Sequence, residues 1–481
     1  MTLASSPGGA PRTALPRPLV LAVDRALIRC DLTIERLISY VKLNPGRLFD
    51  VLDWLWRGRA YVKSQLNERA PIDIETLPIN EALATFARAE AAAGRPVYLA
   101  STLDAALSSR LEKRLPFVAG GITGRDVPSL GNALARRFPQ DFDYAGSSAG
   151  DLAIWKHAGT AILVGASPHV QRRAAALVPI SASLPAPSRA RGLLQSLRLH
   201  QWVKNLLVFA PLVLGGQLGD MPALLATVAT FFALGFTASS TYLINDILDV
   251  ADDRRHWSKR ERPIADGRLP ASTAAAWAVA GLAAGLAIAA GVSWPALGVL
   301  LVYVALTLAY SLGLKRLPLV DGFVLAIQFT LRLALGVVAA QVPPSPWLFV
   351  FSMFLFTSLT LAKRHTELGR SSSVQGTSIA GRGYRAEDAP LVLAVGIAAG
   401  LGAVIILILY IIDDAFRQSF YGSTLWLWGF PPSVFLIICR IWLVTARGEM
   451  DDDPIKFLLT DRVSQELLAV LVTCFFFAWL V

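Results

Sequence analysis

The chain has 481 residues, of which 54% are hydrophobic and 17% charged, and its formal net charge is +10. The length leaves room for more than one domain, and the apolar share gathers after about Asn205. The positive excess falls largely beside apolar runs, which reads as membrane topology and phosphate binding and argues against a nucleic-acid surface. Cys30, Cys439 and Cys474 are isolated, so neither a disulfide framework nor a zinc site is implied. Residues 1–18 are rich in Ala, Pro and Ser, and the apolar run at 19–23 is too short for a signal-peptide core. A disordered lead into a cytoplasmic domain is expected.

Leu19 to Asp24 reads as a buried parallel strand ending in a carboxylate. Residues 32–67 carry a helical pattern that includes Trp54, Trp56 and Tyr61, and another helix fits about Asn80 to Ala93 with Gly94 as its stop. Further strands are expected at Pro96–Ala100, ending at Ser101-Thr102, and at Thr160–Gly165. Strands alternating with helices predict an open α/β sheet over residues 19–177. The order of strand-Asp, helical insert, strand-Ser/Thr and a late Gly146-to-Asp151 turn resembles the haloacid-dehalogenase fold. That family needs Asp-x-Asp-Gly-Thr after its first strand, whereas Asp24 is followed by Arg25-Ala26-Leu27. No lysine occurs from Gly120 to Arg137, where the family's is expected, and Ser147 replaces the first metal-binding acid of the late turn. The resemblance therefore implies a haloacid-dehalogenase-like domain without catalysis, serving as a scaffold, a regulator or a platform for a protein partner. Ser101 and Thr102 then read as ordinary strand-end or N-cap residues.

Residues 178–198, rich in Ser, Ala, Pro and Arg at their start, read as a linker to a second domain over 199–481. Leu199 to Asn205 is an interfacial stretch, with Trp202 as aromatic anchor and Lys204 at headgroup depth. Nine apolar runs follow, at about 205–218, 222–245, 271–291, 294–312, 319–340, 346–362, 390–412, 423–446 and 464–481. They predict an all-α polytopic membrane domain of nine spans in the lipid bilayer, the first of them short. The connections around 253–268, 313–317, 363–388 and 447–463 are long or basic, while those between them carry little positive charge. The positive-inside rule puts the basic set and the N-terminal domain in the cytoplasm, at the inner membrane.

The second run ends abruptly in Asn245, Asp246, Asp249, Asp252 and Asp253. On a helix Asp246, Asp249 and Asp253 stack on one face, with Asn245 flanking. Such carboxylates repel one another unless a cation lies between them. Magnesium (Mg2+) suits the site, because it takes one or two carboxylates and completes its shell with water and phosphate oxygens. A solvated acidic collar is the other reading, but inner membrane edges favour Lys and Arg. Asn245-Asp246-x-x-Asp249-x-x-x-Asp253 matches the signature of the UbiA superfamily of intramembrane prenyltransferases. The longer string Asp253-Arg254-x-His256-x-x-Lys259-Arg260-x-Arg262-Pro263-Ile264-Ala265-x-Gly267-x-Leu269 most resembles the decaprenyl-phosphate phosphoribosyltransferase branch. The resemblance covers about residues 190–481.

It implies that Asn245, Asp246, Asp249 and Asp253 hold the metal, and that Lys259, Arg260 and Arg262 belong to a phosphate clamp. His200 and Lys204 sit where the branch has an Arg-Pro-His-Gln-Trp-x-Lys-Asn string, and read either as phosphate contacts or as topology anchors. A second constellation is Tyr310-Ser311-x-x-x-Lys315-Arg316-x-x-x-x-Asp321. Many superfamily members have a second Asp-x-x-x-Asp here. Asp321 has Leu325 four residues on, so Lys315 and Arg316 are expected to take over part of the phosphate neutralisation. Arg332 lies well inside a span, where a charge costs roughly 2.5 kcal/mol or more, so it should face a polar cavity unless it snorkels. Lys363 and Arg364 follow the next span. Gly381-Arg382-Gly383-Tyr384-Arg385 reads either as an anion-wrapping string or as a topology-setting basic loop.

The expected activity is a magnesium-dependent transfer of 5-phosphoribosyl from phosphoribosyl diphosphate to a polyprenyl phosphate, with diphosphate leaving. Prenyl transfer from a prenyl diphosphate to an aromatic or other lipophilic acceptor is the alternative. A non-catalytic membrane partner or transporter is a third reading, disfavoured by the intact acidic motif beside matched basic residues.

Overall fold

The computed structural model describes residues 16–480 apart from 71, 103–104, 140, 257, 374–381, 418–419 and 451–452. Most of the expected disordered lead, together with Gly381, Asp451 and Asp452, lies outside the described residues. The chain forms two compact units: residues 1–193 with 253–272, and residues 194–252 with 273–481. The segment that follows the acidic motif thus packs with the N-terminal domain, although the sequence placed it in the membrane domain.

The first unit contains a six-stranded sheet, parallel throughout, in the order β3-β2-β1-β4-β5-β6. The strands are β1 (Leu19–Ala22), β2 (Val97–Ser101), β3 (Gly120–Thr123), β4 (Asp143–Gly146), β5 (Thr160–Val164) and β6 (Ile180–Leu184). A wholly buried central strand needs apolar side chains on both faces, and Leu19 to Ala22 supply them, each at most 4% exposed. Between β1 and β2 come α1 (Leu32–Leu43), α2 (Leu48–Trp56), α3 (Arg59–Arg69) and α4 (Glu81–Ala92). The later crossovers use α5 (Ala105–Arg114), α6 (Val127–Arg137), a single turn at Leu152–Trp155, and α7 (Pro168–Ala175). The stretch expected to be linker therefore supplies β6, an edge strand paired with β5, and then a helix at Arg189–Leu197.

In this strand order ligands bind beyond the carboxyl ends of the strands where the winding direction reverses, here between β1 and β4. Asp24 and Asp151 follow those two strands. Asp151 accepts from the Tyr144 hydroxyl (3.0 Å), the Ser147 and Ser148 amides (3.0 and 2.8 Å) and the Ser148 hydroxyl (2.9 Å), so both its oxygens hold the turn. Ala26, where a second acid would stand, is fully buried. Asp24 accepts the Leu32 amide at 3.0 Å and so fixes the start of α1. It remains open to solvent, yet crowding by neighbouring protein and then the charge of Asp31 push its carboxyl up to about 6.

The second unit has eight helices long and apolar enough to cross a membrane among the described residues. They are α8 (Met221–Leu248), α9 (Ala271–Val292), α10 (Trp294–Leu312), α11 (Val320–Ala340), α12 (Pro346–Ser373), α13 (Ala389–Asp413), α14 (Phe430–Ala446) and α15 (Arg462–Leu480). The first of the nine expected spans, at 205–218, falls in tightly wound helix over Leu199–Phe209 and a short helix at Ala210–Leu214. Gly215 and Gly216 (φ +68°) end it before it reaches spanning length. Conversely α12 runs past its expected end at 362, its 28 residues spanning about 42 Å at helical rise. It outlasts the hydrocarbon core because Arg364 and Glu367, paired at 2.8 Å one turn apart, support its polar end. Small residues let helices close up: a methyl group on Gly285 of α9 would overlap Thr237 and the Ala233 carbonyl of α8.

The raised Asp24 carboxyl makes a pH prediction. The fold favours its protonated form, so wild-type stability falls as pH rises from the usual carboxylate range through about 6 and levels off above it, once ionisation is complete. Asp24→Asn lacks this loss and can still accept the Leu32 amide. Its apparent melting temperature relative to wild type is expected to climb between pH 4 and pH 6.5 and then level off; a constant difference across that range contradicts the shift.

Candidate active site

Helix α8 is apolar until its last turn, where it meets the membrane edge and the chain changes to carboxylates. Asp246 is 2% exposed and accepts from Arg198 Nη2 through both oxygens, at 2.6 and 2.9 Å. Arg198 has a left-handed backbone (φ 50°) and lies over the Tyr242 ring, 5.2 Å from its centre. Asp249 forms the C-cap of α8, its amide bonded to the Asn245 carbonyl at 2.8 Å. Both its oxygens accept from Lys315 Nζ at 2.7 Å. In the other unit Asp253, 3% exposed, is paired with Arg262 at 2.7 Å. Each motif carboxylate therefore has a basic partner.

Arg198 was missed by the sequence reading. Its signal was present, because it stands where the branch's Arg-Pro-His-Gln-Trp string has its arginine. The other members of that string divide: His200 is exposed, whereas Lys204 donates to Asp453 at 2.6 Å. Lys204 holds the Asp453 carboxyl below the usual range against the larger, opposing effect of burial. Asp453, in a stretch given no chemistry by sequence, also caps the helix Pro454–Thr460.

Asp321 is fully buried and is the centre of a second cluster. Arg364 Nε donates to it at 2.6 Å and Arg382 Nη1 at 3.0 Å, and the Tyr384 hydroxyl donates to its other oxygen. Tyr310 accepts from Arg364 and Arg382 at 3.4 and 3.1 Å. In the Gly-Arg string, Arg382 and Tyr384 do wrap an anion, and that anion is an internal carboxylate. Of the two cations expected to share phosphate neutralisation, Lys315 faces Asp249 and Arg316 is exposed, as is Arg385. Lys363 is half-buried beside Arg364 on α12.

Arg332 is 4% exposed, and no carboxylate pairs with it among the described residues. It donates to the Asn205 side-chain oxygen (3.2 Å), the Gln328 carbonyl (2.6 Å) and the Tyr303 hydroxyl (3.3 Å), and its guanidinium lies against the Tyr303 and Phe329 rings. The side-chain amide nitrogens of Asn205 and Gln328 are buried and meet no acceptor among the described residues. A buried cation with uncommitted donors on its bonding partners is suited to an anion.

A sequence profile of the UbiA prenyltransferase family matches residues 206–460, more than half of the chain. The chain belongs to the UbiA prenyltransferase family. An uncharacterized protein, y4nM, of Sinorhizobium fredii is 36% identical over 96% of this chain and 91% of its own length, so that relative matches both units. Nodulation protein NoeC of Azorhizobium caulinodans is 30% identical over 56% of this chain and 87% of its own. The decaprenyl-phosphate phosphoribosyltransferase of Corynebacterium glutamicum is 37% identical over 38% of this chain and 57% of its own. A solved structure of a UbiA homolog from Archaeoglobus fulgidus bound to GPP and Mg2+ covers 60% of this chain and 98% of that one, with TM-score 0.47 and 15% identity.

As a UbiA-family transferase the protein is an integral membrane enzyme. Among the described residues no three acidic, histidine or cysteine side chains gather as a ready metal cage. The donor set still fits magnesium, which needs only one or two protein carboxylates when phosphate supplies further oxygens. Asp246, Asp249 and Asn245 are the residues whose donors would suit it, whereas Asp321 is saturated by its own cations.

Asp321→Asn should act on stability first. It removes one of the two carboxylates that face buried Arg364, leaving Glu367 at 2.8 Å, and the loss is expected to reach at most the roughly 3–5 kcal/mol of a fully broken buried pair. The expected result is an apparent melting temperature several degrees lower in detergent. Unchanged melting with abolished magnesium-dependent turnover would instead make Asp321 a metal ligand.

Proposed function

We propose that the protein transfers 5-phosphoribosyl from phosphoribosyl diphosphate to a polyprenyl phosphate and releases diphosphate. The observation that carries this reading is that every motif carboxylate already has a basic partner while Arg332 adds a further buried cation. Arg198 and Lys315 accompany Asp246 and Asp249, Asp321 is withdrawn into a structural cluster, and Arg332 is a further buried cation with no carboxylate partner among the described residues. Such a balance suits two phosphate-bearing substrates better than one prenyl diphosphate and a neutral acceptor. The named activity of the phosphoribosyltransferase relatives supports the same choice.

In this reading the phosphate oxygen of the lipid attacks the anomeric carbon. The bond from that carbon to the diphosphate oxygen breaks, and its electron pair leaves with the diphosphate. The attacking phosphate is already ionised, so no general base is required. Magnesium, held by Asp246 and Asp249 with Asn245, would neutralise the departing diphosphate. Lys315, Arg198, Lys259, Arg260 and Arg262 bind and orient phosphate oxygens. Arg332, with Asn205 and Gln328, receives the second phosphate. An apolar cavity of about 660 Å³, lined by Leu207, Phe209, Phe329, Phe356 and Leu458 with Lys204 on its wall, accommodates the polyprenyl chain. The basic connections support a cytoplasmic side for this chemistry and for the α/β unit. The α/β unit is haloacid-dehalogenase-like without that family's catalysis, and no magnesium-dependent hydrolysis of aryl phosphates is expected from it.

Purified protein supplied with ribose-labelled phosphoribosyl diphosphate should pass label into the lipid phase only when polyprenyl phosphate is present. Label entering from a prenyl diphosphate onto an added aromatic acceptor, with none from the ribosyl donor, selects prenyl transfer instead. Arg332→Gln should lower kcat/KM at least about tenfold, since loss of one charge-assisted contact exceeds 1.4 kcal/mol. Its melting temperature should hold or rise, because a costly buried charge is removed. A variant that melts several degrees lower with unchanged kinetics contradicts the substrate role.

A further inference from the structure

The segment after the acidic motif is shaped by side chains of the α/β unit. Arg254 donates to both oxygens of Glu35, at 3.0 and 2.7 Å, with the two side chains only 5% and 10% exposed. The same guanidinium closes the segment on itself through Nε to the Ala265 carbonyl at 2.8 Å. Arg255 pairs with Asp73 at 2.7 Å. Ile264, Ala265 and Leu269 are buried, and a methyl group on Gly267 (φ +77°) would overlap Arg29. Glu35 is itself fixed: Asp31 caps α1 by accepting the Thr33 and Ile34 amides, and Asp24 accepts that of Leu32. The strand-end acid that has lost its phosphatase setting thus sets the helix that presents Glu35.

This segment carries Lys259, Arg260 and Arg262, the basic residues assigned above to diphosphate, and Arg262 in turn pairs with Asp253. A loop of like charges resists compaction unless an opposing charge anchors it. Glu35 supplies that anchor, buried and bidentate, from a part of the chain more than two hundred residues away in sequence. We propose that the α/β unit is a built-in scaffold for the phosphate-binding segment, with Glu35 as a positioning residue that acts through Arg254. The proposal rests on the diphosphate reading of that segment.

The test uses full-length protein in nanodiscs with magnesium and inorganic diphosphate as the probe. Hydrogen exchange reports the segment 254–269 and, as an internal control, strands β1 and β5. Glu35→Ala should speed exchange in the segment alone and weaken diphosphate binding at least about tenfold, with Glu35→Gln intermediate. If Glu35 acts through Arg254, the double variant Glu35→Ala with Arg254→Ala should bind diphosphate no more weakly than Arg254→Ala alone. Unchanged segment exchange, unchanged diphosphate affinity, or additive losses in the double variant each overturn the positioning role. Should Glu35→Ala also loosen β1 and β5, the Glu35→Gln comparison, which keeps side-chain volume, decides. Wild-type protein that fails to bind diphosphate sinks the functional reading and the role of Glu35 with it, whereas binding that is insensitive to Glu35 sinks only the latter.

Discussion

A carboxylate at the end of a membrane helix is tolerable only beside a cation, and this constraint organises the site. Asp246 and Asp249 are carried to the membrane edge by a long apolar helix and cannot retreat into bulk water. Their partners come from distant parts of the same unit: Arg198 from the approach to the first membrane segment, Lys315 from the turn after α10. Because each pairing is charge-assisted and partly desolvated, removing one member leaves the other exposed to the full cost of burial. The helices are therefore tied in the arrangement that brings acids and bases together. A metal-bound diphosphate needs that juxtaposition, since it presents both a cation and anions to the protein.

Asp321 illustrates the opposite use of the same chemistry. Two guanidiniums and a phenol saturate it, so it serves packing between α11, α12 and the segment at 382–384. Burial and the hydrogen bond to Asp321 push the Tyr384 hydroxyl well above its usual range, keeping it a donor at physiological pH. In the proposed function one acidic cluster exchanges its partners for metal and substrate, while the other is held by its own cations.

Much of this was legible in the sequence, for identifiable reasons. Eight membrane helices and the acidic motif announce themselves through long apolar runs that stop at clustered Asp residues. Strands β1, β2 and β5 were visible as short apolar runs, whereas β3 (Gly-Gly-Ile-Thr) and β4 (Asp-Tyr-Ala-Gly) lack that signature and owe their strand character to neighbours in the sheet. Strand β6, Ile-Ser-Ala-Ser-Leu, was hidden by its Ser- and Pro-rich surroundings. The partners of the acids could not be read at all, because Arg198 with Asp246 and Arg364 with Asp321 are 48 and 43 residues apart and no local period links them. The same holds for Glu35 and Arg254, which places the basic segment with the α/β unit.

The central claim is that only the motif on α8 exchanges its basic partners for a metal and diphosphate. Crystals grown with manganese and inorganic diphosphate, measured at the manganese absorption edge, test it directly. The account predicts anomalous density beside Asp246 and Asp249, with Arg198 or Lys315 turned toward diphosphate oxygens, and none beside Asp321. A peak at Asp321, or its absence at Asp249 with diphosphate bound, would contradict it.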